Sequence, residues 1–334
     1  MSERKLASIQ KIHNIEPIEG ADAIVKASIL GWQVVIRKDE FQVGDLCVYC
    51  EIDSLLPEKP AFEFLRNKAF RIRTLRLRGQ ISQGICFPLT ILPAGLDIIE
   101  GLDVTDRLEI IKYEPPIPAN LSSQVKSLFP RFIPKTDESR VQVLASVLEA
   151  YAGTLCYVTE KLDGSSVTYY LKDGEFNVCS RNLNLLEDPR NSLWQVAHQL
   201  ELPAKLTQNR LNIALQGEII GEGIQGNKYK LKGQSVRFFN VFLIDNYRFL
   251  DFEELENYLL QLELSMVPVL ERNYVLEANV PDLIKKSQGK SSLNPSILRE
   301  GIVIRPLKEQ RTHLEGLGRV SFKAINPEFL LKYE

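Results

Sequence analysis

A lysine followed two residues later by aspartate and then glycine, Lys161-Leu162-Asp163-Gly164, ends an apolar run and opens onto two serines in TEKLDGSS. An amine is a nucleophile toward phosphorus only when its proton can leave, and burial or a neighbouring cation would depress its pKa and favour that. Asp163 would face the same side of an extended segment as Lys161. Alone, the tetrapeptide reads more readily as a surface lysine entering a turn. Further acidic and basic pieces recur in order at the edges of strand-like runs: Glu218 in QGE, Glu300 ahead of GIVIR, and Lys323 in SFK. Carboxylates at strand ends can complete the outer shell of a hydrated Mg²⁺ ion, or can be solvated charges with no further role.

Chemistry at those positions needs strands to hold them. Strand-like runs are expected at 155–160, 166–171, 212–220, 236–244 and 301–306. Helices are expected at 192–200 and 252–262, and at 138–151, where Val141, Leu144, Ala145 and Leu148 recur at helical spacing. This half is mixed α and β, with strands outnumbering helices. The first hundred or so residues differ. They are short β-rich runs, among them GWQVVIR, DLCVYCEID and FRIRTLRLR, punctuated by Gly20, Gly44, Gly79 and Gly84, a pattern that suggests a small barrel or sandwich. Three prolines in YEPPIPANLSS break both periodicities. The chain therefore divides into a β module at 1–115, a linker at 116–130 and a second domain at 131–334.

Composition bounds the setting. Hydrophobic residues make up 44% and charged residues 25% of 334, as in ordinary globular proteins. The first ten residues lack the apolar core of a signal peptide, and no segment has the apolar length to span a bilayer. A cytoplasmic location is expected, with no membrane partner, and a nuclear one stays open for a eukaryotic chain. Five cysteines, scattered through apolar runs, read as reduced core residues. A formal net charge of −2 provides no global field for nucleic acid, so binding must come from a local patch. One candidate is the stretch 66–78, RNKAFRIRTLRLR, with six basic residues in thirteen and no acid. Arg71 and Arg73 share one strand parity, Arg76 and Arg78 the other. A bulge at Thr74-Leu75 would bring all four to one face, a track for a phosphate backbone.

Some sharper-looking signals dissolve. Gly221, Gly223 and Gly226 spell GxGxxG, but NKYKLKG follows rather than the helix a dinucleotide site needs. Gly289-Lys290-Ser291 lacks the earlier glycine of a phosphate-binding loop. Cys47 and Cys50 form a lone CxxC with no second pair for zinc.

As an ordered set, the pieces resemble the motifs of the covalent nucleotidyltransferases: ATP-dependent DNA ligases, RNA ligases and capping enzymes. They are most similar to RNA ligases that carry an amino-terminal OB module. The resemblance rests on RKLASIQKI, PIEGADAI, EIDSLLP and RIRTLRLRGQISQGI in the first hundred residues. It continues in PKTDESRVQ, TEKLDGSS, SRN, QGEIIGEGIQG, FFNVF, REGIVIRP and SFKAINPEFLLKYE. It implies an α+β fold, an N-terminal OB-like β-barrel followed by a nucleotidyltransferase domain of antiparallel sheets with flanking helices.

The resemblance also implies roles. Lys161 would be the nucleophile that takes AMP from ATP, and Asp163, Glu218 and Glu300 would hold Mg²⁺ or Mn²⁺ largely through water. Glu160 would contact adenine, Phe242 would stack on it, Arg181 would touch ribose or phosphate, and Lys323 would hold the α-phosphate. Relatives often have two lysines separated by one residue here, whereas Ser321 and Ile325 flank Lys323 at that spacing. Either Arg319 compensates or the register differs. AMP would pass to a 5′-phosphate and a 3′-hydroxyl would displace it, with RNA or an RNA-containing nicked duplex as partner, RNA on the 3′-hydroxyl side, in RNA repair. A monomer is expected. Removing residues 1–115 should leave adduct formation and impair sealing. The alternatives are a DNA ligase or capping-type enzyme, whose OB domain usually follows the catalytic one, and a non-catalytic nucleic-acid-binding protein.

Overall fold

In the computed structural model, which describes residues 4–114, 119–121, 124–208 and 210–333, the first hundred residues form a set of small antiparallel sheets. Ala7–Lys11 pairs with Leu46–Cys50, which pairs with Ile85–Phe87, while Asn14–Pro17, Ile24–Ile29 and Trp32–Arg37 form a meander. Alternation makes them a module: Trp32, Val34 and Ile36 point inward and Gln33 and Arg37 outward, as strand periodicity dictates. Ile9, Ile29, Trp32, Val48 and Tyr49 fill the centre.

That core is completed from the far end of the chain. Phe329 and Leu330, on the terminal helix Pro327–Tyr333, are buried in the same cluster. Each such burial stabilises by about 1.5–3 kcal/mol. Glu328 on this helix also ion-pairs with Arg76.

The remainder is built on two sheets. One has seven strands in the order Val125–Leu128, Leu183–Leu185, Glu175–Cys179, Ser165–Lys172, Ile213–Gly221, Gln234–Leu243 and Arg248–Phe249. The other has five: Ser139–Arg140, Phe322–Ile325, Gly301–Pro306, Leu155–Lys161 and Val269–Val275. Neighbours are antiparallel except Ser139–Arg140, which runs parallel to Phe322–Ile325. Helices Ser192–Gln199 and Phe252–Gln261 pack on the larger sheet through Leu193, Val196, Leu255 and Leu259.

Three expectations need correction. Residues 125–128, placed in the linker, are an edge strand paired with Leu183–Leu185. All four of its residues are exposed, so no hydrophobic alternation announces it. The rest of the proline stretch, 115–118 and 122–123, lies outside the described residues. The helix expected over 138–151 is confined to Ala145–Ala150, after a tight turn at Val141–Val143. Glu138 and Arg140 are drawn instead into ion pairs with Arg305 and Asp53. FRIRTLRLR is not one strand either; Arg71 bridges Leu55, and separately Leu75–Leu77 pairs in a hairpin with Gln80–Ser82.

Candidate active site

Register places the chemistry. Leu155–Lys161 pairs with Gly301–Pro306 so that Lys161 lies opposite Gly301, which puts Glu300 beside the lysine. Gly301 admits no side chain, because a Cβ there would lie 2.3 Å from the Ala324 carbonyl oxygen of the adjoining strand. After Lys161 the chain crosses to the other sheet, and a Cβ on Gly164 would meet the Ile219 carbonyl at 2.3 Å. That approach lets the Gly164 N–H donate to Glu218 Oε1 at 3.2 Å. The KxDG spacing thus joins two sheets at the floor of a cleft of about 2600 Å³.

Lys161 Nζ donates to both Glu300 oxygens at 2.6 Å. Burial works against its ammonium, but Glu300, Glu218 and Asp163 outweigh that and hold the amine above its ordinary pKa. The expectation of a depressed lysine is reversed, because three acids surround it. Glu218 absorbs much of the conflict: burial, reinforced by Glu300 and Asp163, pushes its carboxyl up to about 8 despite Lys161. Burial also raises Glu300, against the pull of Lys161. Asp163 ion-pairs with Lys228, and its backbone N–H donates to Tyr229 Oη at 2.7 Å.

Lys323 sits one strand further, opposite Val303. Burial pulls its amine down to about 7, with Asp137 opposing and Lys161, Arg140 and Arg4 adding to the shift. Asp137 collects cations. Lys112 donates to it at 2.9 Å, Arg181 pairs with it, and Lys323 Nζ lies 3.9 Å away. Burial would raise this carboxyl, but Lys323, Arg181 and Lys112 hold it well below the usual range. Arg319, weighed as a substitute for the missing second lysine, is held by Glu309 and by Asn240 Oδ1 at 3.0 Å. Ser321 accepts from Arg305 Nε at 2.8 Å.

The N-terminal module reaches this cleft. Asp53 accepts from Arg140 Nη2 at 2.8 Å and Arg71 Nη2 at 3.0 Å, with Arg4 at 3.8 Å. Burial would raise Asp53, and Arg140, Arg4 and Arg71 together lower it to about 2. Arg140 is buried, yet its Nε and Nη1 have no partner among the described residues.

Glu160 is 1% exposed; its Oε2 accepts the Ser292 N–H at 2.7 Å, and its Oε1 has no partner among the described residues. Phe242 is placed differently from expectation. Its ring is enclosed by Tyr247, Phe249, Tyr170 and Ile133 and is 1% exposed, which leaves no face for a base. Phe239 sits at a bulge opposite Gln216-Gly217, is half-buried, and packs with Leu162 and Val267 beside the lysine loop.

The arginine track is also corrected. Arg71 is buried against Asp53 and the Tyr113 ring, and Arg76 is paired with Glu328. Arg73, Arg76 and Arg78 are exposed, but the irregular backbone does not align the four on one strand face. Sequence reasoning passed over Asp53, Lys112, Asp137, Arg140, Lys228 and Tyr229. Arg140 was concealed inside an apparent helix and Lys228 in the NKYKLKG stretch that follows a dismissed glycine motif.

The chain's likenesses agree with this layout. A family model described as an OB-fold domain matches residues 6–89, and one described as RNA ligase matches residues 155–325. Among solved structures, Naegleria gruberi RNA ligase with PPi is 40% identical, with 99% of each chain covered and a TM-score of 0.90. A lysine-to-alanine variant of that ligase with ATP and Mn is 40% identical, covering 98% of this chain and 99% of that one, with a TM-score of 0.90. A glutamate-to-alanine variant with AMP and Mn gives the same identity and coverage with a TM-score of 0.91. No curated protein matches the chain.

Proposed function

The chain belongs to the RNA ligase family, and from that premise we propose that this ATP-dependent RNA ligase carries AMP on Lys161 and seals nicked duplexes whose 3′-hydroxyl strand is RNA. The observation that carries the reading is Lys161 at a strand end, 2.6 Å from both oxygens of Glu300, in a cleft with two more acids.

In the first step the Lys161 ammonium gives up one proton, for which Glu300 is within hydrogen-bonding distance, and the freed Nζ lone pair attacks the α-phosphorus of ATP. A P–N bond forms, the P–O bond to pyrophosphate breaks, and the nitrogen loses its second proton to water or the departing pyrophosphate. Glu160 Oε1, buried and unpartnered among the described residues, suits an exocyclic amine of the base. Phe239 presents a ring beside it for stacking. Lys323 and the open Arg140 nitrogens suit phosphate oxygens, whose growing charge needs fixed donors. Arg181 lies at the same rim.

Asp163, Glu218 and Glu300 gather around Lys161, and carboxylates so placed suit an ion that keeps several of its waters. Such an ion, when bound, supplies charge for the phosphate oxygens and offsets the carboxylate field that keeps Lys161 protonated. AMP then passes from Lys161 to a 5′-phosphate, and the 3′-hydroxyl displaces it to form the phosphodiester.

Two measurements test the reading. Incubation with α-labelled ATP and Mg²⁺ gives a covalent protein adduct, stable to alkali and labile to acid as a P–N bond is, that Lys161→Ala abolishes; an adduct surviving in that variant removes the central claim. A panel of nicked duplexes with RNA or DNA on each side should show sealing only with RNA on the 3′-hydroxyl side. Equal sealing of all-DNA nicks would favour the DNA ligase reading.

A further inference from the structure

Each of the three acids around Lys161 has a partner, but not the same one. Glu300 takes Lys161, Glu218 takes the Gly164 N–H, and Asp163 takes Lys228. The last cation comes from outside the two strands that position the site, on the short segment after the Ile213–Gly221 strand. That segment is shaped with care: Gln225 and Asn227 both hold left-handed backbone angles, φ 45°, which costs about 1 kcal/mol or more per residue and persists only where the surroundings enforce it. Asn227 clamps it by accepting the Leu231 N–H at 3.0 Å and donating to the Leu231 carbonyl at 2.9 Å. Asn294 Nδ2 donates to the Lys228 carbonyl at 3.2 Å.

Lys228 itself is confined. Its Nζ donates to the Gln225 carbonyl at 3.1 Å and lies 5.8 Å and 5.7 Å from the ring centroids of Phe329 and Tyr333. Only 21% of its side chain and 18% of that of Asp163 are exposed. Its neighbour Tyr229 accepts the Asp163 backbone N–H. Consecutive residues therefore hold both the carboxylate and the backbone of Asp163. Lys161 already has Glu300, so the second cation is not needed to neutralise the nucleophile's own pair. It sits on the acid that the proposed function gives to the metal.

We propose that Lys228 is a stand-in for the divalent cation at Asp163. In the nucleotide-free enzyme it keeps the carboxylate paired and oriented, and the hydrated ion must displace it to bind. The inference rests on the proposed metal role of Asp163. Two cations that compete for one carboxylate weaken each other, and the coupling is reciprocal. The ammonium, with two aromatic faces and a carbonyl beside it, has a place to stay when it leaves the carboxylate.

The test is Mn²⁺ binding to the full chain without nucleotide, read from the electron paramagnetic resonance signal of free Mn²⁺. Lys228→Met should lower the binding midpoint about fivefold or more. Lys228→Gln, which keeps a donor for the Gln225 carbonyl, should do the same if the methionine variant fails to fold. Lys228→Arg should retain wild-type binding. Asp163→Asn should weaken binding, and in that background Lys228→Met should add nothing. If Asp163→Asn weakens binding while both neutral Lys228 variants bind no tighter than wild type, the stand-in role is wrong and the metal assignment survives. If Asp163→Asn binds Mn²⁺ as wild type does, both fall.

Discussion

Lys161 Nζ and the Glu300 carboxylate form a two-pronged contact, 2.6 Å to each oxygen, and that pair keeps the nucleophile protonated. Removing that negative charge takes away the strongest of the three carboxylate influences that favour the ammonium, so Glu300→Gln should shift the titration of Lys161 downward. The midpoint is read from the pH dependence of amine acylation at Lys161 by mass spectrometry. The same variant should lose about a hundredfold in adduct formation, since the acid also serves the proton and the metal. An unchanged midpoint would show that the pair does not set the amine's charge.

The N-terminal module reaches the cleft that holds Lys161. Asp53 holds Arg140, and Lys112 holds Asp137, so the expectation that residues 1–115 serve sealing alone should fail. Deleting them should impair labelling of Lys161 by α-labelled ATP. Asp53→Ala gives the finer measurement: leaving Arg140 and Arg71 without their acid, while Arg4 keeps Glu51, should cost about 3 kcal/mol of stability in denaturant unfolding. It should also raise the KM for ATP more than it lowers kcat. Full adduct formation by the truncated chain would restore the earlier expectation.

Much of this was legible in the primary sequence, for a physical reason. Strands at 155–161, 165–172, 213–221 and 301–306 alternate or bury continuous apolar runs, and the residues proposed to do chemistry sit in or next to them, Lys161 at a strand end, Glu300 just before a strand and Glu218 within one. Edge strands carry no such signal, which is why Val125–Leu128 looked like linker. Arg140 was hidden because Val141, Leu144 and Leu148 keep helical spacing although a tight turn breaks the helix. Lys228 was hidden because a charge in a glycine-rich turn has no periodicity to judge it by; its partner lies 65 residues away.

The two phenylalanines of FFNVF separate stability from binding. Phe242 fills an aromatic cluster, so Phe242→Ala should cost about 3–5 kcal/mol and leave ATP affinity in the surviving folded protein nearly intact. Phe239 is half-buried beside the lysine loop. Phe239→Ala should lower the melting temperature less than Phe242→Ala does but weaken ATP binding about tenfold, a base-stacking loss. Isothermal titration and thermal melts on both variants decide it, and the reverse pattern would return the stacking role to Phe242.

Lys323 should make phosphate binding consume protons. Burial pulls its amine down to about 7, far from the ordinary lysine value, so at pH 8 most molecules hold it neutral. An incoming phosphate favours the charged form and raises the pKa in the complex. Binding at pH 8 must therefore take up a proton, and affinity must fall as pH rises from about 7 until the pKa of the complex is passed. The same shift fixes the sign for folding. A lysine with a depressed folded pKa burdens the native state below that pKa, and the burden lifts as pH rises from about 7 toward the unfolded value. Titrating ATP without metal, in buffers of different ionisation enthalpy, should reveal uptake approaching one proton at pH 8 and little at pH 6. Lys323→Met should abolish the uptake. Equal uptake in that variant would assign the proton to another group, and no uptake in wild type would mean that Lys323 is already charged before the nucleotide arrives.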